Sequence, residues 1–125
     1  METKILYIDK DSLNRELVSK LLGRAYKNIV SIPLPKSDTA DIDGFDILIV
    51  DMSPPWKKEL SIILNVQKSK KQLPIISLSS EPQMILELKR TEHTIDSFLG
   101  YPFNFKKTVE EIERLTAKKT RASTS

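Results

Sequence analysis

The chain contains no cysteine, which excludes a disulfide framework, thiolate catalysis and thiolate zinc sites, and agrees with a reducing compartment. Glycine is scarce, with three residues in 125, and none forms the Gly-rich phosphate loop of nucleotide-binding enzymes. Long hydrophobic runs are missing too. The first apolar segment, Ile5-Leu6-Tyr7-Ile8, is too short for a signal-peptide core or a membrane span. A soluble, cytoplasmic protein without membrane contact is therefore expected. The lone histidine, His93, is expected in a loop, with no catalytic or phosphoryl-accepting role.

What is present is a globular balance, 39% hydrophobic and 30% charged residues, in a chain of ordinary single-domain length. The net charge of +3 raises the question of nucleic acid, and the distribution of the basic residues answers it. Lys57, Lys58, Lys68, Lys70 and Lys71 bracket one predicted helix, and Lys106, Lys107, Arg114, Lys118, Lys119 and Arg121 lie along the last one. Glutamates interrupt both groups and no aromatics are interleaved for base stacking. Two solvated helix faces are expected, without direct nucleic-acid binding.

Four runs read as buried parallel strands because they are short, rich in Ile, Leu and Val, and apolar on both alternating faces. They are Lys4 to Asp9, Asp46 to Asp51, Pro74 to Ser79 and Ser97 to Gly100, with a weaker fifth at Asn28 to Leu34. Between them Leu13, Leu17, Leu21, Val18 and Leu22 recur at helical spacing behind Asp11 or Ser12 as a cap, and Leu60, Ile63, Leu64 and Gln67 form a second stripe. A further helix opens with the capping-box pattern Ser80-Glu81-Pro82-Gln83, and the last carries Phe105, Val109 and Ile112 inward after Asn104. Ser37 to Gly44 offers only Ala40 and Ile42 as apolar anchors, so the second helix of the series is predicted to be short or irregular. Strands alternating with helices imply an α/β domain with a doubly wound five-stranded parallel sheet and helices on both faces, flavodoxin-like in type.

In such sheets ligands collect outside the carboxyl ends of the strands. Three predicted strands end there in a polar residue, namely Asp9, Asp51 and Ser79. One such aspartate is an ordinary helix cap or turn former; two with a serine mark a candidate site.

From Lys4 to about Leu115 the sequence resembles the response-regulator receiver family of two-component signalling. The resemblance rests on Lys4-Ile5-Leu6-Tyr7-Ile8-Asp9, on Asp46-Ile47-Leu48-Ile49-Val50-Asp51 with Pro55 four residues later, on Pro74-Ile75-Ile76-Ser77-Leu78-Ser79, and on Phe98-Leu99-Gly100-Tyr101-Pro102-Phe103. The spacing agrees, with Ser79 lying 28 residues and Tyr101 lying 50 residues beyond Asp51. The resemblance implies a receiver-like domain over residues 1–116 and a polar tail or linker over 117–125. It assigns Asp51 as phosphoacceptor, Asp9, Asp51 and the Ser53 carbonyl as Mg²⁺ ligands, Ser79 as the hydroxyl that binds a phosphoryl oxygen, and Phe98 as the switch aromatic. Catalysis beyond Asp51 is not expected, and the chain is not expected to be an enzyme.

Two departures bear on that assignment. Lys10 stands where the family has a second acidic metal ligand, so Mg²⁺ binding is expected to be weakened. Tyr101 stands where the family has a lysine, and supplies a hydroxyl without a charge. Asp11 is expected to cap the first helix, and the Lys10 ammonium to pair with Asp51. The glycine that ends the family's fourth helix is also missing, with Glu92-His93-Thr94-Ile95 in its place. Trp56, beside the acceptor strand, is read either as a cover for the pocket or as a ring packed over the base of the following helix. The expectation is a degenerate pseudo-receiver that binds a protein partner through the face of its fourth helix, fifth strand and last helix. The alternative is a working receiver that takes a phosphoryl group on Asp51 from a histidine kinase.

Overall fold

In the computed structural model, which describes residues 2–37, 39–69, 72–80 and 95–124, each apolar run becomes a strand. These are β1 (Lys4–Ile8), β2 (Asn28–Ile32), β3 (Ile47–Asp51), β4 (Ile75–Ser79) and β5 (Ser97–Gly100). All neighbours run parallel and the sheet order is β2-β1-β3-β4-β5. The order reverses between β1 and β3, the topological switch point at which such sheets bind ligands.

Strand alternation sorts the core into two layers. Leu6, Ile8, Leu48, Val50 and Met52 face α2 (Lys57–Ser69), where Ile62, Ile63 and Val66 meet them. Ile5, Tyr7, Ile47 and Ile49 face the other way, onto Val18 and Leu22 of α1 (Ser12–Leu22) and Ile112 and Leu115 of α3 (Phe105–Thr124). Each fully buried aliphatic side chain contributes about 1.5–3 kcal/mol relative to exposure. β1 is buried on both faces after the exposed Lys4 that opens it, and β3 throughout, so charged side chains stand only at or just beyond their ends.

The helices α1, α2 and α3 form where expected, and Val18, Leu22, Ile63 and Ile112 are buried as expected, but other leucines of the repeats are not. Asp11 caps α1, its Oδ1 accepting from the amides of Leu13 and Asn14 at 2.9 and 3.1 Å. Val18 and Leu22 are buried, whereas Leu13 and Leu17 are 77% and 54% exposed. The inward stripe is therefore Asn14, Val18 and Leu22, one residue round from the leucine repeat, because Asn14 is drawn to the polar strand ends. In α2 the buried residues are Glu59, Ile62, Ile63 and Val66, again not the expected Leu60 and Leu64, which are half-buried. Residues 117–124, expected as a polar tail, continue α3 to Thr124.

No helix forms among the described residues between β2 and β3, in line with its weak apolar signal. Instead the connection turns at Gly44, whose φ of +84° suits glycine, and buries Ile42 and Phe45 on the α2 side of the sheet. The predicted helix opening at Ser80 and the His93 loop lie outside the described residues.

Candidate functional site

The register of β1 and β3 pairs Ile8 with Val50, so one step further sets Asp9 level with Asp51. Both carboxylates continue the side of the sheet that carries Tyr7 and Ile49. They are 2% and 3% exposed, and a buried carboxylate needs donors. Asp9 Oδ1 accepts from the Asp11 amide at 2.8 Å, while Oδ2 accepts from the Tyr7 hydroxyl and from Asn14 Nδ2, the latter at 2.6 Å. Asp51 Oδ1 accepts from the Ser53 amide at 2.8 Å, and Oδ2 accepts from the Tyr101 hydroxyl at 2.5 Å. Asn14 Nδ2 also donates to the Tyr101 oxygen at 2.8 Å, and stands 3.4 Å from Asp51 Oδ2. Its two protons thus go to its nearest acceptors, Asp9 and Tyr101. The two strand-end carboxylates are joined through the Asn14 amide and the Tyr101 phenol, and the Tyr7 phenol bonds Asp9 from beside them.

The phenols are fixed as donors. Burial, reinforced by the hydrogen bond to Asp9, pushes the Tyr7 hydroxyl far above its usual 10.0. Burial, reinforced by the bond to Asp51, does the same for Tyr101. Each remains protonated across the physiological range and gives its proton to a carboxylate oxygen. Arg15 Nη1 adds a bond of 2.7 Å to the Asp9 carbonyl and so ties α1 to the end of β1.

Lys10 does not pair with Asp51, contrary to expectation. Strand alternation turns it to the Ile8 side, away from both carboxylates. There its Nζ donates to the carbonyls of Ser53 and Pro55 at 2.7 and 2.8 Å and lies 3.0 Å from Glu59 Oε2. Glu59, the third residue of α2, is 1% exposed. Neither of its carboxylate oxygens makes an aligned hydrogen bond among the described residues, so the ammonium is its counter-ion. The buried glutamate captures the lysine.

The remaining predicted residues separate. A cavity of about 660 Å³ above the strand ends is lined by Asp9, Lys10, Asp11, Asn14, Asp51, Ser53, Ser80 and Tyr101. Ser80 lines it, whereas Ser79, 2% exposed and level with Gly100 of β5, ends β4 beneath. Phe98 and Trp56 are partly buried against the α2-side core, Trp56 beside the start of its helix. Pro54-Pro55 and Tyr101-Pro102 are both cis. Tyr7, Asn14, Arg15 and Glu59 were given no site role from sequence, although Asn14-Arg15-Glu16-Leu17 belongs to the segments that resemble the receiver family. The signal for Tyr7 was present, since strand period two places it on the face of Asp9, and helical spacing joins Asn14 to Val18 and Leu22.

As they stand these residues do not fit Mg²⁺, which demands near-octahedral oxygen at about 2.0–2.1 Å. All four carboxylate oxygens of Asp9 and Asp51 accept protein hydrogen bonds, and an ammonium faces the Ser53 carbonyl. No group of three acidic, histidine or cysteine side chains that could hold a metal ion occurs among the described residues. No helix among them is long and apolar enough to cross a membrane.

The sheet order, the split core and the acidic pocket at the switch point define a doubly wound α/β domain of the flavodoxin-like type. Within that class, solved structures similar to it include receiver domains. A response regulator receiver domain protein from Clostridium thermocellum matches with a TM-score of 0.76 at 17% identity, over 96% of this chain and 98% of that one. A response regulator receiver modulated diguanylate cyclase from Pelobacter carbinolicus gives 0.75 at 23% identity, over 98% and 99%. The response regulator protein TrrA from Thermotoga maritima, solved in complex with Mg²⁺-BeF, gives 0.72 at 23%, over 90% and 98%. The chain has the receiver-domain fold. No protein-family model matches it, and no curated protein does.

Proposed function

We propose that this chain is a receiver-like module of two-component signalling in which the acceptor pocket is held by internal donors, so that it works as a pseudo-receiver. One observation carries the reading. Both oxygens of Asp51 accept hydrogen bonds from within the protein, and the carbonyl two residues on, expected to complete a metal site, is bonded to Lys10. Each of these oxygens keeps a further lone pair, but transfer of a phosphoryl group to a carboxylate also needs cationic charge on the phosphoryl oxygens. Here the nearest ammonium is tied to Glu59 and the fold's usual lysine is a phenol.

On this reading the domain acts by binding a protein partner, through a face to which β5 and α3 contribute, and its location is the cytoplasm. The alternative is a working acceptor that receives its phosphoryl group from a histidine kinase. It is favoured by the cavity, which leaves room beside Asp9, Asp51, Ser53 and Ser80.

Incubating the protein with Mg²⁺ and acetyl phosphate, beside Asp51→Asn, separates the two by intact-mass spectrometry. The pseudo-receiver reading expects no phosphorylated species in either sample. A phosphorylated form of the parent chain that is absent from Asp51→Asn would establish the working acceptor instead.

A further inference from the structure

The Lys10 ammonium occupies a cage of three oxygens, the carbonyls of Ser53 and Pro55 and the Glu59 carboxylate, at 2.7, 2.8 and 3.0 Å. A lysine has three N–H donors and no acceptor; two go to the carbonyls, and the Glu59 carboxylate faces the same ammonium as its counter-ion. The cage is built of what hard cations take, namely backbone carbonyls and a carboxylate. Glu59 is unusual in it. The side chain is 2% exposed while that of Lys10 is 31% exposed, and neither Glu59 oxygen receives an aligned hydrogen bond among the described residues. A buried carboxylate without hydrogen bonds is held by charge alone, which is the position of a carboxylate that ligates a metal ion.

We propose that Lys10 is a tethered cation that fills a cation site formed by Ser53 O, Pro55 O and Glu59, and that this site takes a hard divalent cation once the ammonium is removed. The oxygens belong to the loop after β3 and to the first turn of α2, so the ammonium holds that loop to β1 as a bound ion would. Covalent attachment makes the hold independent of ion concentration. Size decides between ions. Ca²⁺ takes oxygens at about 2.3–2.6 Å with flexible geometry, whereas Mg²⁺ requires about 2.0–2.1 Å and near-ideal octahedra. From 2.7–3.0 Å the cage contracts less for Ca²⁺, which is therefore the preferred ion, with water completing its shell.

The inference goes beyond the functional reading, since phosphorylation of the parent chain on Asp51 would overturn that reading and leave the cage as it is. It is tested by thermal unfolding of the full chain with no added ion, with Ca²⁺ and with Mg²⁺ at millimolar concentration. The parent protein is expected to melt at one temperature in all three conditions. Lys10→Ala, which opens the space, is expected to melt roughly 5–10 °C lower and to regain at least half of the loss with Ca²⁺ and less with Mg²⁺. Lys10→Met, which fills the space with an uncharged chain, is expected to fall by as much and to stay down. Lys10→Ala combined with Glu59→Gln is expected to lose the response to ion. If Lys10→Ala is unfolded without ion, recovery of its helical circular dichroism on adding Ca²⁺ supports the proposal. The proposal is overturned if Lys10→Ala melts with the parent protein, if neither ion raises or restores it, or if the parent protein is stabilised as strongly as the variant.

Discussion

Replacing Tyr101 by Phe removes one oxygen from the centre of the site and leaves the ring, which packs against the α1 and α3 side of the core. The apolar contribution is therefore kept and the loss is polar. Two hydrogen bonds go, the one Tyr101 donates to Asp51 Oδ2 at 2.5 Å and the one it accepts from Asn14 at 2.8 Å. A hydrogen bond to a charged group is worth about 1.5–3 kcal/mol net. Compensation sets the value toward the lower end of that range. Asn14 Nδ2 is already 3.4 Å from Asp51 Oδ2 and can close on it, and Asp51 keeps the Ser53 amide. The expected cost is about 2 kcal/mol, or a fall in melting temperature of roughly 6–10 °C for a domain of this size. Calorimetric melts of the parent chain, Tyr101→Phe, Asp51→Asn and the double variant give the coupling directly. Asn at position 51 removes the charge, so the cost of Tyr101→Phe in that background is expected to fall by about 1 kcal/mol or more. A Tyr101→Phe protein that melts with the parent, and shows no coupling to position 51, would refute the claim that the phenol holds the Asp51 carboxylate.

The pH response follows from the tyrosines. All three, Tyr7, Tyr26 and Tyr101, are pushed above the usual 10.0, each by burial first and then by a hydrogen bond to a carboxylate. In the unfolded chain they ionise near 10 while the folded chain retains the protons. Their contribution is complete below that pH and is lost as pH rises above it, by up to about 1.4 kcal/mol per pH unit for each fully buried phenol. Ultraviolet titration is expected to show tyrosinate appearing only together with loss of helical circular dichroism; a reversible tyrosinate step in folded protein at pH 10 would contradict this. Leu17→Gln on the exposed side of α1 is expected to change stability by less than about 0.5 kcal/mol, whereas Val18→Ala, one residue on, costs about 1.5–3 kcal/mol. Equal costs in urea unfolding would return the leucine stripe to the core. Removing the cap with Asp11→Ala is expected to cost about 1 kcal/mol in the same assay, and a neutral result would disprove capping by that carboxylate.

The fold was legible because its central strands β1, β3 and β4 are buried on both faces. Ile5-Leu6-Tyr7-Ile8 and Ile47-Leu48-Ile49-Val50 have no amphipathic alternative, and the buried aspartates that follow them mark where the apolar run gives way to the polar site. The helical faces were less legible. Leu13 and Leu17 carry the repeat in α1, but a periodic apolar pattern does not say which face the sheet will cover, and Asn14 takes the inward place because the strand ends need a donor. The placement of Lys10 was out of reach for a related reason. Alternation past Asp9 turns Lys10 to the Ile8 side, but the partner that holds it there is Glu59, whose burial on the α2 side is a tertiary fact and runs against the rule that glutamates lie outside. Asp11, by contrast, did what local chemistry asks, since a carboxylate ahead of a helix finds its amides within the next turn.

The central claim is that internal donors have taken the place of a metal at Asp9, Asp51 and Ser53. Amide-resolved NMR during a Mg²⁺ titration of the parent protein tests it most directly. The account predicts no saturable shift of the Lys10, Asp11 or Ser53 amides at millimolar Mg²⁺. A saturable, one-site shift centred on those amides, abolished by Asp51→Asn, would show that the donors give way to the ion and would contradict the account.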